Sequence, residues 1–487
     1  MNTIKRNSVS ANIVYQFLYQ IVLFVIPLVM APFLSRRLQE NAIGVHSYIH
    51  SIAYYFVIVA NLGIIKYGQR SISVNSNNEI MLRKTFWSLF YVHSVISVIS
   101  LVLYISFICI FVNENKVIYF IEGIYVLSAL FDITWLYYGL ENFKSVVIRN
   151  FFIKAFECTF VFIFIRSPSD LVKYTVISVV SIILGQVIMI PHALTAIKPI
   201  HVDFSDCIIH IKPLFVLSIS VIAISLYTVF DKTLLGFLSS KNNVAFYEYS
   251  NRIINIPRTL IGVIGTIMYP RACKMAANHD IEGQEKYMKY SFLFTILAGF
   301  GAIFGLIAIA QPFAVIYYGK SFEICGDVII SLSPLILIVG LGDIIRTQYM
   351  IPNRMDKKYT ICIILNAVVN IIFTIILIPI IGIFGAVAGT VSAELFGLIF
   401  QSYLCKEILD LKYIVKTSLF FILLGSVMLF VLNILNKIFS VSFFNVALLI
   451  IIGIIIYSAG CLLYLYLFEK FLFNTIKMKV LKLFGFK

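Results

Sequence analysis

Long, continuously apolar stretches recur along the whole chain, and they constrain its fold more than any other feature. A helix rises 1.5 Å per residue, so a stretch of roughly 20 residues crosses a hydrocarbon core of about 30 Å. The strands of a membrane β-barrel alternate apolar and polar residues over about ten positions, and these stretches do not alternate. The sequence therefore predicts an all-α integral membrane protein.

We predict about fourteen transmembrane helices. The first stretch follows Lys5 and Arg6 as a signal peptide would, but it exceeds the 7 to 15 residues of a signal-peptide core, so we expect it to remain as the first helix. The predicted spans are 12–34, 42–65, 85–112, 117–139, 147–166, 171–196, 213–238, 245–270, 288–310, 328–351, 358–380, 382–404, 417–436 and 444–468.

The distribution of basic residues predicts the topology. The chain carries a net charge of +15, although only 13% of its residues are charged and its mean hydropathy is +0.97. With a cytoplasmic N-terminus, 25 of the 38 Lys and Arg residues fall in inner segments and 8 in outer segments. This asymmetry is the positive-inside pattern, and it places both termini in the cytoplasm. Anionic lipid headgroups account for the basic excess, so we expect membrane lipids and no nucleic acid as partners.

Several other functions are disfavoured by what the loops and cysteines contain. The loops between spans are too short for a folded domain outside the membrane, which counts against an enzyme such as a polysaccharide polymerase or ligase. No G-x-x-x-x-G-K-[ST] motif is present, so ATP hydrolysis is not expected. The eight cysteines are scattered singly, and they support neither a disulfide framework nor a zinc site.

A faint internal repeat predicts two similar halves. The segment FLSRRLQENAIGVHSYIHSI from Phe33 resembles FLSSKNNVAFYEYSNRII from Phe237. An offset of six helices gives both halves the same orientation, related by an axis along the membrane normal. We therefore predict two six-helix bundles, 1–200 and 201–405, around a central cavity. Residues 406–487 would add two helices and a basic cytoplasmic tail.

Ionisable residues inside the spans are the candidate functional groups. Each costs roughly 2.5–3.5 kcal/mol if it faces lipid at mid-bilayer, so each is expected to face a partner or a hydrated cavity. The bases are Lys154, Lys232, Arg252, Arg258 and Arg346, and the acids are Glu122, Asp132, Glu157, Asp231, Glu248, Asp343 and Glu394.

Helical spacing arranges many of these groups into stripes. One stripe holds Asn150, Lys154 and Glu157, and another holds Glu248, Arg252, Asn255 and Arg258. Further polar faces predicted to line a hydrated lumen include Asn366, Asn370 and Thr374 on one span, and Thr390, Glu394, Gly397 and Gln401 on the next.

Two interpretations of these charges remain open. Glu248 with Arg252, Lys154 with Glu157, and Asp343 with Arg346 either neutralise each other along one helix or serve a substrate. Arg258 has no acid three or four residues away, which makes it the strongest candidate for substrate binding. Asp132 and Glu394 also lack a partner on their own helices, so they either bind a cation or proton or reach a base on a neighbouring helix.

Four segments resemble a known family, the Wzx-type polysaccharide repeat-unit flippases. The segments are Phe131 to Phe156, Ser225 to Arg271, Pro312 to Phe322 and Ile381 to Glu394. The family belongs to a superfamily with the MATE exporters and the lipid II flippase. The most specific part is the Trp-x-x-x-Gly-Leu-Glu stretch from Trp135 to Glu141. The chain departs from the family at Gln39 and His46, where glycine and tyrosine are expected.

The resemblance implies a flippase of the bacterial plasma (inner) membrane that uses alternating access. Its substrate would be an undecaprenyl-diphosphate-linked oligosaccharide, moved to the outer leaflet for O-antigen or capsule assembly. No cofactor is expected, and other polysaccharide assembly proteins are expected partners. We expect substrate binding by Arg258, Arg252, Lys154, Lys232, Arg346 and Asn255. We expect ion coupling or conformational roles for Asp132, Glu394, Glu157, Asp343 and Glu248.

An alternative is a MATE-like, cation-coupled exporter of small organic molecules. Such an exporter needs an acidic lumen, and seven acids against five bases within the spans leave it open. The resemblance around Trp135 favours the flippase.

Overall fold

The computed structural model describes residues 9–440 and 442–474, with the side chains of 9–24, 219–228 and 266 excepted. Several basic residues that support the predicted topology lie outside the described residues: Lys5, Arg6 and those of the tail beyond residue 474.

The predicted all-α class is confirmed, because the described residues form helices joined by short turns and contain no β-strand. The helices are α1 Val9–Asn61, α2 Ile64–Asn75, α3 Glu79–Phe111, α4 Lys116–Ser128, α5 Thr134–Gly139, α6 Phe143–Phe164, α7 Leu171–Ala196, α8 Phe204–Leu238, α9 Lys241–Ala277, α10 Ile281–Tyr318, α11 Ile324–Leu332, α12 Leu335–Ile345, α13 Asp356–Ile381, α14 Ile383–Leu404, α15 Leu411–Ile438 and α16 Phe443–Phe468.

Eleven helical segments among the described residues are long and apolar enough to cross a membrane. The predicted count of fourteen spans exceeds this number by three. Helix α1 runs through the first two predicted spans, with a break only at Gln39, where φ is 61° and ψ is 178°. Helices α6 and α8 cover the other two predicted spans, and the side chains of α8 are described only in part. Fourteen spans therefore stay a prediction.

The chain forms two compact units. The first runs to Glu248 and includes Ile378–Ile383, and the second comprises Tyr249–Leu377 and the chain from Phe384 onward. In the first unit α1 packs against α3, α4, α6 and α8, and in the second α10 packs against α11, α12, α15 and α16. The predicted boundaries near residues 200 and 405 stay predictions.

The predicted span 117–139 is interrupted near its middle. Helix α4 ends at Ser128, a 3-10 turn follows over Ala129–Phe131, and α5 begins at Thr134. The Oδ1 atom of Asp132 accepts hydrogen bonds from the backbone N and the Oγ1 atom of Thr134, at 3.0 and 2.6 Å. An aspartate side chain commonly accepts a hydrogen bond from the backbone two residues on and so forms a turn, and this turn directly precedes α5.

The stretch from Trp135 to Glu141 holds α5 against α2. Trp135 is fully buried, donates its indole N–H to the carbonyl oxygen of Asp132 at 3.0 Å, and stacks on Phe86. Gly68 of α2 lies against the Trp135 ring, and Gly139 lies against Ile72. The spacing of tryptophan and glycine in the motif is therefore a packing requirement.

Glycines also bring α14 close to α13. A side chain at Gly397 would collide with the amide of Asn366, and one at Gly389 would collide with Thr374. Asn366, Asn370 and Thr374 are all buried. Asn366 and Thr374 thus pack against a neighbouring helix, and the expectation that these residues line a hydrated lumen stays a prediction.

A polar contact joins α8 to α3. The Lys84 ammonium lies 2.8 Å from the carboxylate of Asp206. Asp206 precedes the predicted span of α8, and its hydrogen bond with Lys84 holds its pKa below the usual range.

We expect Gly68→Ala to lower the thermal stability of the protein. The added Cβ would lie 2.8 Å from a ring atom of Trp135. Such overpacking costs typically about 1–3 kcal/mol, more than the roughly 1 kcal/mol that alanine gains over glycine in a helix. Heating the detergent-solubilised full chain and measuring the folded fraction by size-exclusion chromatography tests this.

The control is Gly262→Ala, since no atom lies within 4 Å of its added Cβ. It should melt at or above the wild-type temperature. An unchanged melting temperature for Gly68→Ala would contradict the packing role given to this glycine.

Candidate functional site

In the first unit, Lys232 forms an ion pair between helices. Its Nζ atom lies 2.5 Å from Oε2 of Glu248, which joins α8 to α9. The neighbouring Asp231 accepts a hydrogen bond from the Tyr247 hydroxyl at 3.0 Å. The structure therefore gives Glu248 a partner on another helix, which the spacing along α9 did not predict.

A group of hydroxyls lies next to this pair. The Oγ1 atom of Thr233 is 3.0 Å from the Ser51 hydroxyl and 3.1 Å from the Tyr55 hydroxyl, which connects α8 to α1. Thr233 and Tyr55 also line a cavity of about 630 Å³ whose wall includes Lys241 and Glu114. The first unit thus holds a space with aromatic, hydroxyl and charged groups on its wall.

Lys154 and Glu157 are paired along α6. The Lys154 ammonium lies 2.6 Å from Oε2 of Glu157. The side chain of Glu157 is only 6% exposed, whereas that of Lys154 is 33% exposed. Lys154 therefore neutralises a buried acid and still has an accessible face, and its predicted substrate role stays a prediction.

In the second unit, Arg252 and Arg258 lie on α9, six residues apart. The Arg252 guanidinium lies 5.0 Å from the centre of the Tyr249 ring, an attractive cation–π arrangement. Arg258 donates to the Oδ1 atom of Asn255 at 3.2 Å, and the structure gives it no ion pair with any described residue. Arg258 is therefore a half-buried cation whose hydrogen-bond partner is neutral.

Three further charges of the second unit lie together. Arg346 forms an ion pair with Asp343, and Glu394 of α14 also interacts electrostatically with Arg346. The expectation that Glu394 reaches a base on a neighbouring helix agrees with this geometry. The backbone forms a π-helical turn over Arg346–Met350, a feature frequent at functional sites.

The predicted site residues thus fall into two sets. The first unit contains Asp132, Lys154, Glu157, Lys232 and Glu248. The second contains Arg252, Asn255, Arg258, Asp343, Arg346 and Glu394. The coupling role predicted for Asp132 stays a prediction, since its carboxylate is engaged with Thr134 at the start of α5.

Sequence reasoning missed a cluster of His46, His50 and Glu122. His50 Nδ1 lies 3.1 Å from Oε2 of Glu122, and His46 Nε2 lies 3.5 Å from Oε1. The two histidines are four residues apart on α1, a spacing that indicates a shared face, but the sequence does not show which helix faces them. No group of described residues has the arrangement of a metal site.

A nearly apolar groove of about 580 Å³ runs along α9, α10, α15 and α16 of the second unit. Its wall includes Pro257, Gly305, Met428 and Tyr457. Pro257 directly precedes Arg258 in α9. The apolar groove therefore includes the residue that directly precedes Arg258 in the sequence.

Comparison with known proteins identifies the family and the fold. The family described as "Polysaccharide biosynthesis protein" matches residues 9–276, more than half of the chain. Two relatives carry the provisional name O-antigen transporter. The one from Shigella dysenteriae is 24% identical over 396 residues, covering 80% of this chain and 98% of its own. The one from Escherichia coli (strain K12) is 23% identical, covering 74% and 87%.

Solved structures share the fold. The lipid II flippase MurJ in an inward closed conformation superimposes with a TM-score of 0.76 at 17% identity, covering 92% of this chain and 99% of its own. An inward-facing MATE family transporter of the MOP superfamily gives a TM-score of 0.58 at 13% identity, covering 83% and 96%.

These similarities confirm the predicted resemblance and the prediction of a membrane transporter instead of an enzyme. Since the family matches more than half of the sequence, the chain belongs to the polysaccharide biosynthesis protein family, with the fold of the MOP superfamily transporters.

Proposed function

We propose that the protein moves undecaprenyl-diphosphate-linked oligosaccharide repeat units from the cytoplasmic to the outer leaflet of a bacterial plasma membrane by alternating access. Both termini lie in the cytoplasm in this proposal. The family and the two relatives named as O-antigen transporters support it. The observation that carries it is the half-buried Arg258, which has no ion pair in the described chain and directly follows Pro257, a residue of the apolar groove, in the sequence.

The headgroup of such a substrate needs a polar path. Its diphosphate charge and many hydroxyls would lose their water in hydrocarbon, at a cost of several kcal/mol for each group left without a partner. Polar side chains that replace the water remove this penalty. Arginine suits a diphosphate because its planar fork donates to two oxygens at once.

Arg258 ranks first among the candidate cations because of what the others contact. Lys154, Lys232 and Arg346 each lie against a carboxylate. Asn255, the neutral partner of Arg258, leaves the guanidinium charge available to an anion. Arg252, nearly two turns earlier on α9, is a second basic residue of that helix.

The acids have a distinct part in this proposal. Glu157, Glu248 and Asp343 neutralise the bases while the carrier is empty. A bound diphosphate competes for the same bases. The exchange of partners gives the loaded and the empty protein different contacts, and different contacts are what shift a conformational equilibrium.

The groove of the second unit supports a lipid-linked substrate. A small organic cation needs no long apolar surface, whereas a polyprenyl chain must stay in an apolar environment while its headgroup moves. The groove next to Pro257 accepts part of such a chain, with the diphosphate near Arg258.

We expect Arg258→Ala to reduce flipping by at least about tenfold, since a hydrogen bond to a charged group contributes about 1.5–3 kcal/mol. Arg258→Lys should retain part of the activity because it keeps the charge. Surface polysaccharide and inner-leaflet lipid-linked oligosaccharide are measured in cells with matched protein levels.

Arg271→Ala is the matched control, since Arg271 is an exposed cation near the end of the same helix. Normal surface polysaccharide in Arg258→Ala cells would refute the role of Arg258. Changed drug susceptibility with normal polysaccharide would favour the small-molecule exporter.

A charge-neutral double variant tests Lys232. Lys232→Met alone removes the ammonium that lies 2.5 Å from the Glu248 carboxylate in the interior, so we expect a lower protein level. Lys232→Met with Glu248→Gln should restore the protein level but leave flipping reduced, because the substrate has lost a cation. Wild-type flipping by the double variant would show that the pair only neutralises itself.

Filling the groove tests the position of the lipid. Gly305 lines the groove, and no atom lies within 4 Å of an added Cβ, so Gly305→Phe should fold normally. We expect it to reduce flipping several-fold by occupying the space of the chain. Val427→Phe, on an exposed face of α15 outside the groove, is the control. Equal flipping by both variants at equal protein levels would contradict the assignment.

A further inference from the structure

The cluster of His46, His50 and Glu122 places a buried acid between two imidazoles. Helix α4 supplies Glu122, whose side chain is 0% exposed, and α1 supplies both histidines. The side chains of His46 and His50 are 11% and 35% exposed, and their rings stack at 5.7 Å. Water therefore has access to the cluster at His50, while the carboxylate is shielded from it.

The carboxylate has an incomplete set of partners. Its Oε2 atom contacts His50, whereas Oε1 has no hydrogen bond from any described residue and faces His46 at 3.5 Å. A buried carboxylate without a positive partner is destabilised by several kcal/mol. An imidazolium removes that penalty, and histidine is the side chain whose charge ordinarily changes between about pH 5 and 8.

Aromatic side chains lie against both histidines. Tyr125 stacks on His50 at 4.6 Å, and Tyr174 of α7 lies 4.7 Å from His46. Among the charged groups on elements that pack on α1 and α7, three bases are in ion pairs, Lys154 with Glu157, Lys173 with Asp170 and Lys232 with Glu248, and Arg149 of α6 donates to Asn150 and Gln186. Tyr104 of α3 and Tyr125 of α4 interact electrostatically with Glu122, and Asp132 interacts with Tyr125 and with His93 of α3.

We propose that His46, His50 and Glu122 form a proton-binding site that couples substrate movement to protonation. One imidazole takes up one proton from water at His50, and the imidazolium and the Glu122 carboxylate then form a neutral pair. Release of that proton leaves a buried negative charge, which favours a conformation with more water at the cluster. The occupancy of the site thereby biases the two conformations.

This inference rests on the proposed function for its transport readout, but the site itself can be tested without substrate. The predicted coupling acids, Asp132 and Glu394, lie outside the cluster.

The first experiment follows the protons directly. The full chain, with ¹⁵N-labelled histidine, is placed in lipid nanodiscs and titrated from about pH 5.5 to 8 by NMR. We expect the His46 and His50 signals to change in this range. In Glu122→Gln a smaller share of these rings should be protonated at the same pH, because the carboxylate that stabilises the imidazolium is lost. Absence of any change in the wild type overturns the proposal, as does an unshifted titration in Glu122→Gln.

The second experiment measures flipping of lipid-linked oligosaccharide in proteoliposomes over the same pH range. We expect a wild-type rate that varies about fivefold or more, and a flat profile for His50→Gln and Glu122→Gln. His201→Gln, at a histidine whose side chain is 91% exposed, should keep the wild-type profile.

Should Glu122→Gln fail to fold, the profile of His50→Gln still decides whether the site is coupled to flipping. No flipping by the wild type at any pH would refute the proposed function, and the NMR titration would still decide the proton site. Identical profiles for wild type and His50→Gln would refute the coupling.

Discussion

The electrostatic cost of a charge in a low-dielectric interior organises this protein. Lys154, Lys232 and Arg346 each lie within contact distance of a carboxylate. In two of these pairs, Lys154 with Glu157 and Arg346 with Asp343, the partners are three residues apart in the sequence. The pair of Lys232 and Glu248 instead joins α8 to α9, so it contributes to helix packing as well as to charge neutrality. Arg258 differs, since its described partner is an amide. A cation that the fold does not neutralise is the natural place for an anion to bind.

Small residues complement this constraint, since helices in lipid associate mainly by close packing. Gly68 admits the ring of Trp135, and Gly397 admits the amide of Asn366. Gly44 lies directly against the backbone at Lys241, where α9 begins. Close approach brings polar atoms within hydrogen-bonding reach of each other, so glycine positions decide which polar residues are buried between helices and which remain accessible.

The sequence predicted the features that depend on local pattern. Apolar runs gave the helical class, and the segment around Trp135 gave the family. The interruption between α4 and α5 was not predictable, because the apolar character continues across it, although α4 ends at Ser128 and the Asp132 carboxylate forms a turn before α5. The partners of Glu248 and Glu122 were also out of reach, since each lies on another helix and spacing reports only neighbours on the same one. A search for histidines four residues apart opposite an unpaired acid could have indicated the cluster.

The bend in α1 at Gln39 stores backbone strain. Gln39 adopts a backbone conformation found almost only in glycine, which costs about 1–3 kcal/mol for a residue with a side chain. Leu38 and Ile43, on either side, are buried. Packing of these flanking residues therefore imposes the bend. The backbone at Gln39 is held in a strained conformation and does not rotate freely. Any rearrangement that frees the flanking residues would release this strain and let the corner straighten.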